Sequence, residues 1–414
     1  MVSLDLDFVR GQFPVFTEKE SARWAHLENA GGSYVPMQVI SLLNNFFTKS
    51  KVQPYWDFGP SVKAGEAMDR ALELLPATFN AAPEEVHFGP STSQNTYVLA
   101  QALRPAWEMD DEIIVTNQDH EANIGVWRRL ETTGIKVHEW AVNPETGLLE
   151  MTDVEKLINE RTRLLAVTHA SNLAATINPI RDLADRIHEV GGIIVADGVS
   201  FAPHATIDVN QLGSDVYLYS AYKTYGPHVG LMYTSPRVLE QTANQGHFFN
   251  ANKPTYGLTP AGPDHAAVAA CAGIIDYYDA VFEHHFGSLN TCSVRDRISR
   301  VFELFGEHEQ RIMEPLVEYV ASRPDFRLIG SPSTSHAVRA PTIAFHSYSQ
   351  PSRDIYSSLI EAGVSCGHGN FYAHRLVEAV GLDTEDGVVR LSLVHYNTAE
   401  EVAKALNVLD EIAP

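Results

Sequence analysis

The stretch Ser220-Ala-Tyr-Lys-Thr-Tyr-Gly-Pro-His228 places a single lysine on a polar, aromatic turn. It follows an apolar run, 215–219, that is typical of a buried strand. Upstream, the run Gly192-Ile-Ile-Val-Ala196 leads into Asp197, so a carboxylate stands at the carboxyl end of another predicted strand. Open α/β sheets bind their ligands at that edge. The sequence therefore predicts an α/β fold in which Asp197 and Lys223 share one site.

An amine and an acid in this arrangement match the needs of pyridoxal 5'-phosphate (PLP) chemistry. The amine holds the aldehyde as a Schiff base, and the acid keeps the pyridine ring protonated so that it can take up electrons. Each residue has an ordinary structural interpretation as well. A loop lysine is commonly a solvated surface residue, and an aspartate after a strand is often a helix cap. The wider sequence context therefore decides between the two interpretations.

Several ordered segments supply that context: Leu27-Glu-Asn-Ala-Gly-Gly32, Thr92-Ser-Gln94, Asp119-His-Glu-Ala-Asn123, Thr168-His-Ala-Ser-Asn172, Asp197-Gly198, Ser220-Ala-Tyr-Lys223 and the C-terminal segment that begins at Arg390. Their order and spacing resemble the class V aminotransferase family, particularly its cysteine-desulfurase-like branch. The resemblance extends over nearly the whole chain. It implies the PLP-dependent transferase fold type I, with a mainly parallel, seven-stranded-type sheet in a large domain and a smaller α+β domain.

Composition sets further bounds on the protein. The 414 residues exceed the usual size of a single core, and 44% hydrophobic with 20% charged residues is ordinary for a globular chain. The formal charge of −22 opposes binding to nucleic acid or to anionic membranes. No secretory signal or membrane-spanning run is apparent, and three cysteines are too few for a disulfide framework. We therefore expect a cytoplasmic enzyme that contacts neither nucleic acid nor membrane.

The pattern along the chain predicts two domains. Strand-like runs at 86–89, 112–116, 163–168, 192–196 and 215–219 alternate with helical patterns, which favours a mainly parallel sheet. Helices are predicted at 96–103, 121–132, 153–159, with Thr152 and Glu155 as a capping box, and 180–190. Long helices at 264–282 and 293–322 and strands at 326–329 and 340–345 indicate a second α+β unit. We predict a loose N-terminal arm at 1–20 that joins the small domain, a large domain at 21–263, and a linking helix with the small domain at 264–414.

The resemblance implies roles for individual residues, and the few, scattered cysteines predict no metal site. Lys223, His120 and Asp197 take the catalytic positions: the lysine forms the Schiff base and moves the Cα proton, His120 stacks on the cofactor ring, and Asp197 pairs with the pyridinium. The implied cofactor-binding residues are Thr92, Ser93, Gln94, His120, Asn172, Asp197, Ser200, Ser220, Tyr222 and Lys223. The implied substrate-binding residues are Asn29, Asn172, His368, Asn370 and Arg390, with Arg390 binding the α-carboxylate because its planar fork matches a carboxylate.

Two of these assignments compete with simpler interpretations. His120 or Asp119 can instead cap the helix predicted at 121–132. Ser91 and Thr92 can be ordinary N-caps instead of parts of a phosphate site at a helix N-terminus. Considered by itself, neither segment decides the question.

Three positions depart from the family pattern. Tyr222 stands where the family usually has histidine, and Ser200 stands where its desulfurases have glutamine. Asn370 occupies the position of the persulfide-forming cysteine, while Cys366 lies four residues earlier. A desulfurase without that thiol cannot accept sulfur by this route. We therefore favour C–S-lyase-like β-elimination from a small L-amino acid or cysteine conjugate. The alternatives, in decreasing order of preference, are an aminotransferase, a cysteine desulfurase and a catalytically silent binding protein.

The resemblance also implies a homodimer with shared active sites. In the family a threonine of the partner subunit contacts the phosphate, and the matching segment here is Leu258-Thr-Pro-Ala-Gly-Pro-Asp264. Gly262 falls at the threonine position, and Thr259 lies nearby. We expect this contact to be made by a backbone group or by Thr259.

Overall fold

The computed structural model describes residues 2–251, 253 and 256–412. The strands are β1 (Ala25–His26), β2 (Val86–Gly89), β3 (Glu112–Thr116), β4 (Lys136–Trp140), β5 (Thr162–Thr168), β6 (Ile193–Asp197), β7 (Val216–Ser220), β8 (Gly230–Thr234), β9 (Phe326–Leu328), β10 (Thr342–Ser347), β11 (Val364–Ser365), β12 (Gly367–Gly369) and β13 (Val388–Ser392).

The α-helices are α1 (Leu6–Gly11), α2 (Met37–Lys49), α3 (Gly59–Leu74), α4 (Thr92–Leu103), α5 (Glu121–Arg129), α6 (Met151–Val154), α7 (Ile180–Glu189), α8 (Val209–Leu212), α9 (Pro236–Leu239), α10 (His265–Ala270), α11 (Ala272–Phe286), α12 (Val294–Ser322), α13 (Ser352–Glu361), α14 (His374–Ala379) and α15 (Ala399–Ile412).

A seven-stranded sheet forms the centre of the large unit, in the order β2-β8-β7-β6-β5-β3-β4. Neighbouring strands from β4 to β7 pair in parallel, and β8 pairs antiparallel with both β7 and β2. Its central strands are buried along their whole length, as a sheet covered on both faces requires. The predicted mainly parallel α/β sheet is confirmed.

Two apolar clusters cover the faces of this sheet. One includes residues of α2, α3, α10 and α11, and the other includes residues of α4 and α5. A four-stranded antiparallel sheet, β12-β13-β10-β9, forms the small unit with α12, α13 and α15. The chain enters this unit early, because β1 pairs in parallel with β11 and Ala25 and Leu27 lie in its core.

The N-terminal arm is packed, so the expectation of a loose arm is wrong. Val9 and Phe13 are fully buried, and the ring of Phe13 lies 5.0 Å from that of Tyr396 and 5.2 Å from that of Tyr277. Arg10 forms an ion pair with Glu401 of α15 at 3.0 Å. The arm contacts both units, and the predicted domain limits at 20 and 263 stay predictions.

Three helix predictions need correction. The helix expected at 153–159 is only the short α6, with Glu150 as N-cap and no side-chain cap, so the Thr152 and Glu155 box does not form. The helix expected at 264–282 is divided at Cys271 into α10 and α11. Helix α4 begins at Thr92, one turn earlier than predicted, because Ser91 caps it. In each case the local pattern located the element but not its limits.

Two features are absent from the described residues. Among residues 2–251, 253 and 256–412, no helix combines the length and apolar character needed to cross a bilayer. In the same part of the chain, no group of three or more histidine, cysteine or acidic side chains is arranged to hold a metal ion.

Candidate active site

A cleft lined mainly by polar residue types lies at the carboxyl edge of the large sheet. The ends of β5, β6 and β7 and the first turn of α4 converge there. The lining residues are Ser91, Thr92, Ser93, His120, Ala122, Thr168, Asn172, Asp197, Val199, Ser200, Ser220, Tyr222, Lys223 and His228. A parallel sheet places the residues that follow its strands side by side, which is why segments distant in sequence meet at this edge.

Lys223 lies on the short turn that follows β7, and only 8% of its surface is exposed. Burial is the main cause that lowers the pKa of its amine to about 8, and the positive charge of Arg390 adds to the effect. Asp197 and Glu28 oppose the shift. A substantial fraction of the amine is therefore neutral near pH 8, as a nucleophile or base must be.

Asp197 is the last residue of β6 and is also buried. Its Oδ1 accepts a hydrogen bond from the backbone N–H of Val199 at 2.8 Å. Burial raises the pKa of this carboxyl to about 6, against the lowering effects of that hydrogen bond and of Lys223. A buried acid with a single hydrogen-bonded oxygen is suited to pair with a cationic ring nitrogen.

The start of α4 supplies hydroxyl and backbone donors to the cleft. Ser91 caps the helix by accepting a hydrogen bond from the N–H of Gln94, and the hydroxyls of Thr92 and Ser220 lie 2.6 Å apart. Gly230 of β8 packs so closely that a Cβ atom there would lie 2.6 Å from the backbone nitrogen of Thr92. Helix capping and a predicted anion site therefore coincide at this turn.

His120 both caps α5 and lines the cleft, so the two interpretations from the sequence are compatible. Its Nδ1 accepts a hydrogen bond from the N–H of Ala122 at 3.0 Å, which leaves the ring proton on Nε2. Burial first, then the charges of Lys223 and Arg390, lower its pKa to about 4. Asp119 does not cap the helix; it is buried and bonds to Thr116 and Asn123.

Asn172 and Arg390 meet beside the cleft. Asn172 Nδ2 donates to the backbone carbonyl of Phe371 at 2.9 Å, while its buried Oδ1 has no partner among the described residues. Arg390 is 3% exposed, and its Nη2 lies 2.6 and 3.0 Å from the two carboxylate oxygens of Glu28. Arg390 Nη1 lies 3.3 Å from the carbonyl oxygen of Asn172.

Tyr222 and Ser200, two of the departures from the family pattern, both line the cleft. The ring of Tyr222 stacks on His228, with centroids 4.8 Å apart and planes inclined by 4°. Burial is the main cause that raises the pKa of the Tyr222 phenol, so it stays protonated and can donate a hydrogen bond.

Five predicted site residues do not line the cleft: Arg390, which lies beside it, and Gln94, Asn29, His368 and Asn370. Gln94 is exposed, and Asn29 is buried where it donates to the Ser392 carbonyl and the Asn397 side chain. His368 packs its ring 4.8 Å from that of Tyr356, and Asn370 donates to the Thr384 carbonyl. Asn29, His368 and Asn370 are held by contacts with the small unit. Their roles as ligand contacts therefore stay predictions.

Cys366 is also unsuited to a thiolate role. The residue is 6% exposed, and burial, with a smaller effect of Glu28, raises the pKa of its thiol to about 12. Reactive cysteines need the opposite shift.

Sequence reasoning missed several residues of the site. Four residues that were not assigned to the site line the cleft: Ser91, Thr168, Val199 and His228. Glu28, also unassigned, forms an ion pair with Arg390. His228 lies in the segment 220–228, and Glu28 lies in the segment 27–32. Their position beside recognised motifs is the sequence feature that could have assigned them to the site. Their contacts depend on tertiary packing and leave no local pattern.

Comparison with known proteins gives the family. The family model described as Aminotransferase class-V matches residues 25–258 and 300–405. The chain belongs to the class V aminotransferase family. Members of this family are PLP-dependent enzymes, so the predicted family and enzyme class are confirmed.

Individual relatives agree with this family. The chain is 34% identical to the aminotransferase-like protein FGM3 of Gibberella zeae, covering 99% of each chain. It is 29% identical to the cysteine desulfurase-like protein ustD of Aspergillus flavus, covering 99% of this chain and 91% of that one. The apo cysteine desulfurase of Thermococcus onnurineus NA1 matches the fold with a TM-score of 0.84 at 20% identity, covering 100% of this chain and 99% of that one. The fold type I prediction is thereby confirmed.

The cleft of this class V family member fits PLP. The buried Lys223 amine, the buried Asp197 carboxyl, the donors at the start of α4 and the unpartnered Asn172 Oδ1 are groups that an aldehyde-bearing pyridine phosphate would satisfy. They lie in one cleft, whereas Arg390, Gln94, Asn29, His368 and Asn370 do not line it.

Proposed function

We propose that this protein binds PLP through Lys223 and catalyses β-elimination from a small L-amino acid or cysteine conjugate. The observation that carries the proposal is the buried Lys223 amine, whose pKa is lowered to about 8 in a cleft shared with Asp197. A fold needs neither a buried lysine nor a buried aspartate for its stability, since both cost desolvation energy.

Particular residues would hold the cofactor. Lys223 would bind its aldehyde, Asp197 its ring nitrogen, and Thr92, Ser93 and Ser220 its phosphate, with His120 on the ring and Asn172 at its edge. When bound, PLP supplies an electron sink that stabilises negative charge at the substrate Cα.

Lys223 removes the Cα proton in its neutral form and carries it as an ammonium group. That ammonium is then the acid available to protonate the departing thiolate. His120 is neutral because its pKa is about 4, so it is better suited to hold the ring face than to deliver a proton.

The properties of Cys366 support elimination over sulfur transfer. A thiol with a pKa of about 12 is almost wholly protonated at neutral pH, and Asn370 has no sulfur. The products expected from a cysteine conjugate are therefore a free thiol, pyruvate and ammonia in equal amounts, with one water consumed.

Spectroscopy and mass spectrometry test the cofactor. The purified protein should show a visible absorption band that borohydride abolishes, and the reduced cofactor should remain on the peptide that contains Lys223. Lys223→Ala should lose the band and at least 10³-fold in turnover, whereas Lys156→Ala, at an exposed ion pair, should keep both. Label on another lysine would reject the assignment.

Product analysis tests the reaction. A panel of L-amino acids and cysteine conjugates should yield pyruvate and ammonia without conversion of the cofactor to its amine form. A keto acid formed with the amine form and without ammonia would indicate transamination instead. Sulfide release that needs an external thiol would indicate desulfuration.

A further inference from the structure

Arg390 is already paired with a carboxylate of its own chain. Its Nη2 contacts both oxygens of Glu28, the Phe371 ring lies 3.8 Å from its guanidinium carbon, and only 3% of the residue is exposed. Its buried Nε has no hydrogen-bond partner among the described residues. The charge of the guanidinium is thus balanced by Glu28, and its Nε–H remains available as a hydrogen-bond donor.

The carboxylate of Glu28 lies in a space formed by two glycines. The backbone N–H of Gly31 donates to Glu28 Oε2 at 3.2 Å. A Cβ atom at Gly31 would lie 3.0 Å from Glu28 Oε1, and one at Gly367 would lie 3.2 Å from the same oxygen. Both contacts are tighter than ordinary packing, so a side chain at either position would push the carboxylate away from Arg390.

The two partners differ in their freedom to move. The Glu28 side chain is 24% exposed, against 3% for Arg390. The backbone around Glu28 is fixed, because Asn29 Nδ2 donates to the Ser392 carbonyl and Leu27 N–H to the Ser365 carbonyl. Rotation of the Glu28 side chain toward solvent is therefore the simplest way to free the guanidinium.

We propose that Glu28 is a built-in competitor that holds Arg390 and releases it only to a carboxylate of the substrate. A buried arginine without an anion is costly, so the exchange of one carboxylate for another is favoured over simple loss of Glu28. A ligand without a carboxylate cannot make this exchange. Glu28 thereby determines specificity: it selects carboxylate-bearing substrates and sets the free energy that each must overcome to bind.

This inference rests on the proposed function for its substrate class, and binding measurements test it without turnover. In the PLP-loaded protein, Glu28→Gln should bind L-alanine at least tenfold more tightly, detected by the change in visible absorption. Binding of L-alaninamide, which lacks the carboxylate, should change less than twofold. Propionate, which has no amine, should bind Glu28→Gln more tightly than wild type in calorimetric titrations.

Glu121→Gln is the matched control. Glu121 contacts Arg375 at 3.5 Å, near the same cleft but away from Arg390, so its neutralisation should leave all three affinities unchanged. If Glu28→Gln fails to fold, Glu28→Asp keeps the charge with a shorter reach and should tighten L-alanine binding by a smaller factor.

Two results would overturn the inference. Weaker or equal binding of L-alanine and propionate by both Glu28 variants would make Glu28 a positioning residue for Arg390. Equal tightening of L-alanine and L-alaninamide would show that the carboxylate is not recognised. Failure of the protein to bind PLP would instead reject the proposed function, and propionate titration of the cofactor-free protein would still test Glu28.

Discussion

At the scale of single residues, burial sets the chemistry of the cleft. It lowers the pKa of Lys223 to about 8 and of His120 to about 4, and it raises the pKa of Asp197 to about 6. Each shift favours the neutral form of its group, which is the effect of desolvation. The burial that produces these shifts lowers the stability of the fold, and the same burial gives the groups the protonation states that their reactivity requires.

Lys223 should therefore destabilise the cofactor-free protein in a pH-dependent way. The unfolded lysine titrates near ~10.4 and the folded one near 8, so the unfolded chain binds more protons between these values. Stability rises with pH through that window, and the full cost, on the order of 3 kcal/mol, is present below it. Lys223→Met should be more stable than wild type at pH 7 and lose this advantage by about pH 10.4.

Urea unfolding of the cofactor-free protein at both pH values checks this expectation. Lys156→Met, at an exposed lysine, should show no pH-dependent gain. A gain for Lys223→Met that is equal at both pH values would point to packing in place of charge.

Cys366→Ser should keep nearly full elimination activity, because elimination uses no thiol and Cys366 is buried as a neutral group. Arg390→Ala is the comparison: it removes the carboxylate partner and should weaken amino-acid substrates by roughly 1.5–3 kcal/mol, the scale of a hydrogen bond to a charged group. Steady-state kinetics on one substrate measures both. An inactive Cys366 variant beside an active Arg390 variant would favour desulfuration.

At the scale of elements, the site depends on the contact between β8 and the start of α4. Gly230 is paired with Ser220 of β7 and Gly89 of β2, and it faces the backbone of Ser91 and Thr92. Only a residue without a side chain allows this approach. The strand thereby fixes the position of the first turn of α4 relative to Lys223.

Gly230→Ala should weaken binding of the cofactor phosphate. The added Cβ would lie 2.4 Å from the carbonyl carbon of Ser91, so the start of α4 must shift. We expect at least a tenfold loss in PLP affinity, measured by fluorescence titration of the cofactor-free protein. Gly11→Ala, where nothing lies within 4 Å of the new atom, is the control. Equal affinity in both variants would show that this turn does not hold the phosphate.

At the scale of the whole molecule, an apolar surface extends from the segment before α3 to the segment before α10. Tyr55, Trp56 and Phe58 are 57%, 64% and 48% exposed. Tyr55, Thr259 and Gly262 line a mainly apolar groove at this surface. Large exposed apolar patches mark interaction sites in soluble proteins.

We therefore predict a homodimer that uses this surface. Light scattering should give twice the chain mass of 45.7 kDa. Trp56→Glu should shift the protein toward monomer and lower PLP retention, whereas Met109→Glu, at a residue 73% exposed elsewhere, should leave the dimer intact. A wild-type monomer that retains PLP fully would contradict the prediction.

The sequence by itself determined the alternation of strands and helices, the placement of Asp197 and Lys223 at strand ends, and the family. These features are local: an apolar run forms a buried strand, and the residue after it lies at the sheet edge. The sequence was less informative about the limits of four helices, α4, α6, α10 and α11. The start and end of a helix depend on which of several possible caps and breaks forms in the folded chain.

Only the tertiary structure decided which side chains meet. Glu28 pairs with Arg390 across 362 residues, His120 both caps α5 and lines the cleft, Asn370 bonds to the Thr384 carbonyl, and Cys366 is buried. Hydrophobic periodicity records whether a residue is buried and not what it is buried against. Packing of the two units determines those partners. It thereby sets the pKa values of the buried groups and the pairing of Arg390 with Glu28.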